Sequence, residues 1–178
     1  ELPKGSSVLM SPVTDTSTLS SILLCGLKPV IVDTKNMSYN SSIAQFVEAY
    51  SEDVSAIYLV HTYGVPADVI NILNFCKKKK LKLIEDCSQS PFAYVSTEKG
   101  KKFVGNFGDV SAFSTMYRKT LQTSSSGGIV FTKDKNLSKA LIEYSDRGRP
   151  KWSSEYNPRQ PGEVKRVAHN FNTSEIAC

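Results

Sequence analysis

Short apolar runs alternate along the chain with segments whose apolar residues recur every three or four positions. The runs predict strands at 8–10, 29–33, 56–60, 81–85, 110–113 and 128–132. Helical spacing follows most of them, on four stripes: Leu19, Ile22 and Leu23; Ile43, Phe46, Val47 and Tyr50; Val69, Ile72, Leu73 and Cys76; Leu137, Ala140, Leu141 and Tyr144. This alternation predicts an α/β fold, a mostly parallel sheet with helices on both faces.

The character of the chain changes after residue 146. Residues 147–166 are rich in proline and charge, contain Trp152, and predict a long loop, which in compact proteins is commonly functional or mobile. Residues 173–178 have the pattern of a helix that has just begun, with Thr173 or Ser174 as its cap. We therefore predict a core over 1–146, followed by a basic, proline-rich loop and a helix start over 147–178.

Composition narrows the classes of function. Hydrophobic content is 40% and charged content 22%, as in ordinary globular proteins, and no apolar run approaches the ~20 residues of a membrane span. Four cysteines without CxxC spacing argue against zinc and predict the reduced thiols of a cytoplasmic protein. The net charge of +5 is concentrated at 77–80, 99–102 and 147–166 without interleaved aromatics or a nucleic-acid-binding module. That pattern predicts no nucleic-acid partner, and a basic stretch near a cleft suits a phosphorylated small molecule.

Two residues carry the candidate chemistry. Lys119 follows the predicted strand at 110–113, and Asp86 closes the apolar run that begins at Leu81. Open α/β sheets place ligand groups at the carboxyl ends of strands. A Schiff-base amine and a carboxylate for a protonated ring nitrogen are what pyridoxal phosphate (PLP) requires. Taken singly, a lysine after a strand is usually solvated and an aspartate after a strand is usually a helix cap.

Five motifs match one family in order and spacing. They are G-L-K-P-V-I-V-D at 26–33, V-H-T-Y-G-V-P-A-D at 60–68, I-E-D-C-S-Q-S at 84–90, G-N-F-G-D at 105–109, and F-S through the lysine to G-G at 113–128. Through them the chain resembles, almost from end to end, the DegT/DnrJ/EryC1/StrS sugar aminotransferases, PLP enzymes of fold type I. The resemblance implies that 1–146 is the core of the PLP-binding large domain and that 147–178 leads toward a small domain.

The resemblance also implies roles for five residues. Lys119 would form the Schiff base and later move the proton, and Asp86 would pair with the pyridinium nitrogen. Gln89 would lie against the ring or its phenolic oxygen, and Ser114 would donate its hydroxyl to the phosphate. Asn172, with Asn170 as a competitor, would reach the phosphate of the neighbouring subunit, which implies a homodimer. Three of these residues also have a simpler structural alternative. Gln89 is then a cap on backbone groups, Ser114 a surface or turn hydroxyl, and Asn172 a turn residue.

The implied reaction takes an amino group from an amino acid, typically glutamate, to a nucleotide-linked keto-sugar. Two alternatives remain open. One is a PLP-dependent sugar dehydratase, which typically has histidine where Lys119 stands. The other is a non-catalytic fragment or degenerate paralogue of the family, acting as a folded or partner-binding module. The basic stretch containing Arg147, Arg149 and Trp152 either meets the substrate's diphosphate or base, or packs on a second subunit. His61 is expected to be a packed, hydrogen-bonded histidine and not a catalytic base.

The chain departs from the family pattern at several points. Asp15 occupies a position where many members carry an aromatic residue that stacks on the cofactor, and Ser126 replaces a usual acidic residue before the paired glycines. Phe92 stands where a small residue is common. The N-terminal S-G-T-x-A-L phosphate-binding segment and the C-terminal small domain of the family have no counterpart in these 178 residues.

Overall fold

The computed structural model describes residues 1–123, 125–150 and 164–172. Its elements are β1 (Ser7–Met10), α1 (Thr16–Leu24), β2 (Lys28–Ile31), α2 (Ile43–Glu48), β3 (Val54–Val60), α3 (Val69–Lys79), β4 (Lys82–Asp86), β5 (Tyr94–Thr97), β6 (Gly100–Phe103), β7 (Val110–Ser114), β8 (Gly128–Phe131) and α4 (Lys135–Ser145). Trp152 and the helix start predicted at Thr173 or Ser174 lie outside the described residues. The division into 1–146 and 147–178 stays a prediction.

A six-stranded sheet in the order β2-β1-β3-β4-β7-β8 forms the centre of the fold. The first five strands are parallel to their neighbours, and β8 alone runs antiparallel, against β7. The predicted α/β class with a mostly parallel sheet is thus confirmed. Periodicity did not predict the direction of β8, because a four-residue strand exposed along its whole length has no buried face to read.

Helices cover the sheet on both faces because the buried strands are apolar on both. On β1, Leu9 packs into the cluster with α2 and α3, whereas Val8 and Met10 pack with Ile22 of α1 on the opposite face. Alternate side chains of a strand point to opposite faces, so one apolar strand supplies two cores. The two-sided packing confirms the predicted layers.

Three residues of the predicted helical stripes are wrong as core positions. Leu23 is 55%, Val47 51% and Tyr144 37% exposed. Leu23 and Val47 follow directly after residues that do face the sheet, Ile22 and Phe46, and a step of one residue turns the side chain away. The buried stripe on these short helices is therefore narrower than the apolar pattern.

A separate hairpin fills the stretch that the sequence marks only as a small excursion before β7. Strands β5 and β6 pair antiparallel, with Tyr94 opposite Phe103 and Thr97 opposite Gly100. Gly100 has φ of 101°, a backbone conformation that side-chain-bearing residues rarely adopt. The hairpin stands outside the main sheet and follows directly after the loop that leaves β4.

Residues 169–171 form backbone hydrogen bonds with the chain at the end of α4. Arg147 donates its backbone N–H to His169, and Phe171 donates its own to Ser145, at 2.8 Å each. Close packing here requires Gly148, where a Cβ would lie 1.7 Å from the Arg166 carbonyl oxygen. Among the helices of the described residues, none has both the length and the apolar content needed to cross a membrane.

Candidate active site

A cleft of about 380 Å³ opens at the carboxyl ends of the parallel strands. Strand β1 lies between β2 and β3. The chain adds β2 on one side of β1 and the later strands on the other side, so the strand order switches between β1 and β3. Such a switch point leaves a crevice where ligands bind in open α/β folds. The lining residues are Thr14, Asp15, Ser17, Thr18, Ser21, Tyr58, Val60, Asp86, Ser88, Gln89, Ser114, Met116 and Lys119. Four of the five predicted site residues, Asp86, Gln89, Ser114 and Lys119, thus meet in one cleft.

Asp86 is the last residue of β4 and is held from two directions. Ser88 donates its backbone N–H to Oδ1 at 2.9 Å, and the Tyr58 hydroxyl donates to Oδ2 at 3.2 Å. Burial and the nearby Asp86 carboxylate both raise the pKa of Tyr58, so the phenol stays a hydrogen donor at neutral pH. Both hydrogen bonds fix the orientation of the carboxylate, which lines the cleft.

Lys119 lies on the loop after β7, in a turn closed by its own N–H and the Met116 carbonyl at 2.9 Å. Among the described residues its amine makes no hydrogen bond and no ion pair. Asp15 lines the same cleft and caps α1 by accepting the Ser17 N–H at 2.8 Å. The Ser17 hydrogen bonds, with a smaller contribution from the charge of Lys119, hold the pKa of Asp15 below its usual range. The position where an aromatic residue is common in the family therefore carries an anion here.

Ser114 and Gln89 both line the cleft. Ser114 closes β7, receives an N–H from Met116 at 3.4 Å on its hydroxyl, and keeps its own hydroxyl proton for a ligand. Gln89 accepts the Tyr63 N–H on Oε1 at 3.1 Å, so the capping role considered from the sequence does exist. Its Nε2 has no partner among the described residues and can still donate into the cleft.

The turn that Gln89 holds carries backbone strain beside the site. Tyr63 has φ of 51° and Gly64 φ of 81°, and the Val65 N–H closes the turn onto the Thr62 carbonyl at 3.0 Å. Tyrosine in this left-handed region costs about 1–3 kcal/mol, and such strain is commonest at functional sites. The hydrogen bonds from Tyr63 and Gly64 to Gln89 couple this strained turn to the cleft wall.

Glu85 is a residue of structural importance that the sequence reasoning missed. Its side chain is 0% exposed and accepts four hydrogen bonds, from His61 Nε2 and the backbone N–H groups of Gly105, Phe107 and Gly108. A signal for it existed: strand alternation puts Glu85 on the same face as buried Leu83, where a lone carboxylate is not tolerated. The predicted packed role of His61 agrees with this contact.

The buried group of His61, Glu85 and Cys87 has its ligand atoms within 4.8 Å of one another. The ring nitrogens of His61 and the carboxylate oxygens of Glu85 are nevertheless already engaged in hydrogen bonds. Ala67 donates to His61 Nδ1 at 3.0 Å, so Nε2 carries the proton and donates to Glu85. Burial alone would raise the pKa of Glu85, but the hydrogen bonds from His61, Gly108 and Gly105 hold the pKa below its ordinary value. Burial also raises the pKa of the Cys87 thiol, so these three groups serve the fold and not a metal.

Asn172 lies away from the cleft within one chain. Its Nδ2 donates to Asp146 at 2.9 Å, and its N–H donates to Asn170 Oδ1 at 3.2 Å. Arg147 forms an ion pair with the same Asp146 at 2.7 Å. The structure thus places Asn172 beside α4, and the predicted role at a neighbouring subunit's phosphate stays a prediction.

Comparisons with known proteins agree on one family. The model of the DegT/DnrJ/EryC1/StrS aminotransferase family matches residues 1–178. A UDP-N-acetyl-3-dehydro-alpha-D-glucosamine 3-aminotransferase of Acidithiobacillus ferrooxidans is 35% identical over 148 residues, 83% of this chain and 39% of its own length. A GDP-perosamine synthase of Escherichia coli O157:H7 is 33% identical over 147 residues, with the same coverage of 83% and 39%.

Solved structures give the same result. An aminotransferase from Psychrobacter cryohalolentis superposes with a TM-score of 0.87 at 27% identity, covering 99% of this chain and 44% of that one. The chain therefore spans about two-fifths of the length of the curated relatives it matches.

Proposed function

Since the chain belongs to the DegT/DnrJ/EryC1/StrS aminotransferase family, we propose that it is part of a PLP-dependent aminotransferase. The enzyme would transfer an amino group from an amino acid, with glutamate as the first donor to test, to a nucleotide-linked keto-sugar. Relatives named for nucleotide-sugar amination support the substrate class. The observation that carries the proposal is the single cleft lined by both Asp86 and Lys119.

Asp86 would hold the ring nitrogen of the cofactor. Bound PLP supplies an electron sink for the carbon that loses a proton, provided that its ring nitrogen stays protonated. A carboxylate within hydrogen-bond range favours that protonated form by roughly 1–3 pKa units. Tyr58 and Ser88 hold the two Asp86 oxygens in a fixed orientation, so the residues present fit the group.

Lys119 would bind the aldehyde carbon of the cofactor and, once released from it, carry the proton between substrate and cofactor. An amine without a hydrogen-bond or ion-pair partner among the described residues is available for both tasks. Ser114 would donate to the phosphate, and Gln89 Nε2 to the phenolic oxygen. Asn172 would act at a partner subunit's phosphate, which makes the proposed enzyme a homodimer, and a cytoplasmic location is proposed with it.

The lysine at position 119 favours amine transfer to the sugar over dehydration of the sugar. A lysine would return the proton and bind the aldehyde carbon of the cofactor again once the amine has been transferred, whereas the sugar dehydratases of the family typically have histidine there. Assays for amine transfer and for ammonia release separate the two reactions. Ammonia and deoxygenated sugar without aminated sugar would reject the aminotransferase proposal.

The direct test is spectroscopic. We expect protein expressed from its complete gene to develop an absorbance band at about 400–430 nm with PLP. Lys119→Ala should abolish the band, and Lys139→Ala, on the exposed surface of α4, should leave it unchanged. Far-UV circular dichroism checks that each variant is folded. An unchanged band in folded Lys119→Ala refutes the role of this lysine.

A further inference from the structure

A second cleft, of about 370 Å³, adjoins the first. It lies between the strained turn at Gly64 and the loop that leads from β4 into the β5–β6 hairpin. Its lining residues are Gly64, Pro66, Gln89, Ser90, Pro91, Phe92, Ala93, Tyr94 and Thr120. A volume near 370 Å³ falls within the range of small-molecule sites.

The two clefts are neighbours at two points of the chain. Gln89 lines both of them. Lys119 lines the first and its chain neighbour Thr120 lines the second. The second cleft therefore lies against the loop that carries Lys119.

The lining of the second cleft combines apolar and polar groups. Phe92 lines it and is 63% exposed, so its ring is accessible to a ligand. Pro66, Pro91 and Ala93 add further apolar lining. The Thr120 hydroxyl and Gln89 Nε2 have no hydrogen-bond partner among the described residues.

A cation lies beside one wall of the cleft. Tyr94 lines the cleft, and Lys101 lies over its ring at 4.3 Å while donating to its hydroxyl at 3.1 Å. An ammonium group held beside the cleft in this way complements a diphosphate.

We propose that Phe92 is a specificity-determining residue on which the pyranose ring of a nucleotide-linked sugar stacks. The inference rests on the proposed aminotransferase function. The carbonyl carbon of a keto-sugar must reach the Lys119 region, so the sugar occupies the nearer part of the cleft and its diphosphate the part at Lys101. Apolar C–H groups of the sugar ring contact the Phe92 face, and ring hydroxyls bond Thr120 and Gln89.

The test compares the affinities of nucleotide-sugars with those of the matching nucleotides, using PLP-loaded protein from the complete gene. Calorimetry measures binding of UDP-N-acetylglucosamine, GDP-mannose and dTDP-glucose, each against UDP, GDP or dTDP. Phe92→Ala should weaken the best nucleotide-sugar by about five- to tenfold and leave its nucleoside diphosphate unchanged. Phe92→Tyr, which keeps the ring, should retain wild-type affinity.

Phe103→Ala is the matched control, because Phe103 is 56% exposed on the same hairpin and does not line the cleft. It should leave both classes of ligand unaffected. An equal loss for sugar and bare nucleotide in Phe92→Ala would assign the ring to the base and overturn the inference, as would no loss at all. Absence of the PLP band in wild-type protein would instead reject the proposed function, and the same calorimetry on protein without added PLP keeps the test of Phe92 independent of that result.

Discussion

Glu85→Gln removes the charge of a carboxylate that holds β4 to its surroundings while preserving its size. Each carboxylate oxygen accepts two N–H groups: Oε1 those of Phe107 and Gly108 at 2.7 and 2.6 Å, and Oε2 those of Gly105 and His61 at 2.8 and 3.1 Å. Glutamine has one oxygen, so its amide nitrogen must face two donors in either orientation. His61 cannot adapt, because its Nδ1 already accepts the Ala67 N–H.

Two hydrogen bonds to a charged acceptor are therefore lost, at about 1.5–3 kcal/mol each. We expect Glu85→Gln to lower the free energy of unfolding by about 3–6 kcal/mol, a large part of the roughly 5–15 kcal/mol typical of a domain. Urea unfolding followed by circular dichroism measures the change. Glu52→Gln is the control: Glu52 pairs with Lys79 at 3.5 Å but is 86% exposed, and the change should cost less than about 1 kcal/mol.

The same carboxylate makes stability depend on pH. The pKa of Glu85 is lower in the folded protein than in the unfolded chain, so its contribution is complete above the unfolded pKa. That contribution is lost as the pH falls through the folded pKa. Wild-type protein should accordingly lose more stability on acidification than Glu85→Gln does. A variant within about 0.5 kcal/mol of wild type at neutral pH would refute the account of this residue.

Two further substitutions test the supports of the site. Gly108→Ala places a Cβ 2.6 Å from the Leu83 carbonyl oxygen, a backbone atom that cannot yield, and should cost about 1–3 kcal/mol in urea unfolding; a neutral result would contradict the close approach. Tyr58→Phe removes the hydroxyl bonded to Asp86 and should raise the dissociation constant for PLP about three- to tenfold, measured by absorbance titration. An unchanged constant would mean that Ser88 alone orients the carboxylate.

The strands and helices that form the two cores were predictable from sequence because they bury regular apolar faces. Leu9 and Ile57 belong to one core and Val8 and Ala56 to the other, and this double burial produces the apolar runs that mark β1 and β3. The direction of β8 was not predictable, since its four residues are all exposed. Nor was the β5–β6 hairpin, whose burial alternates only weakly and whose pairing lies outside the main sheet.

Some residues of the candidate site were likewise predictable from sequence and others were not. Asp86 and Lys119 were recognisable because the carboxyl ends of parallel strands converge, and the motifs supplied Gln89 and Ser114. Tyr58 was not recognisable as a site residue, because its hydroxyl reaches Asp86 from within a strand that reads as core. Glu85 escaped notice for a different reason: the residues that neutralise its burial are separated from it by about 20 positions in each direction.

Glu85 and Asp86 are adjacent acids that face opposite sides of one sheet. This arrangement links the pairing register of β4 to the side chain that lines the cleft. A slip of one position would push Asp86 into the core and turn Glu85 toward the cleft. Four N–H donors in the core are placed to reach the longer side chain, Glu85. A shifted strand would leave these donors without a matching acceptor and would destabilise the sheet. Chains that pair β4 in the wrong register should therefore be less stable, and the stable register is the one that presents Asp86 to the cleft.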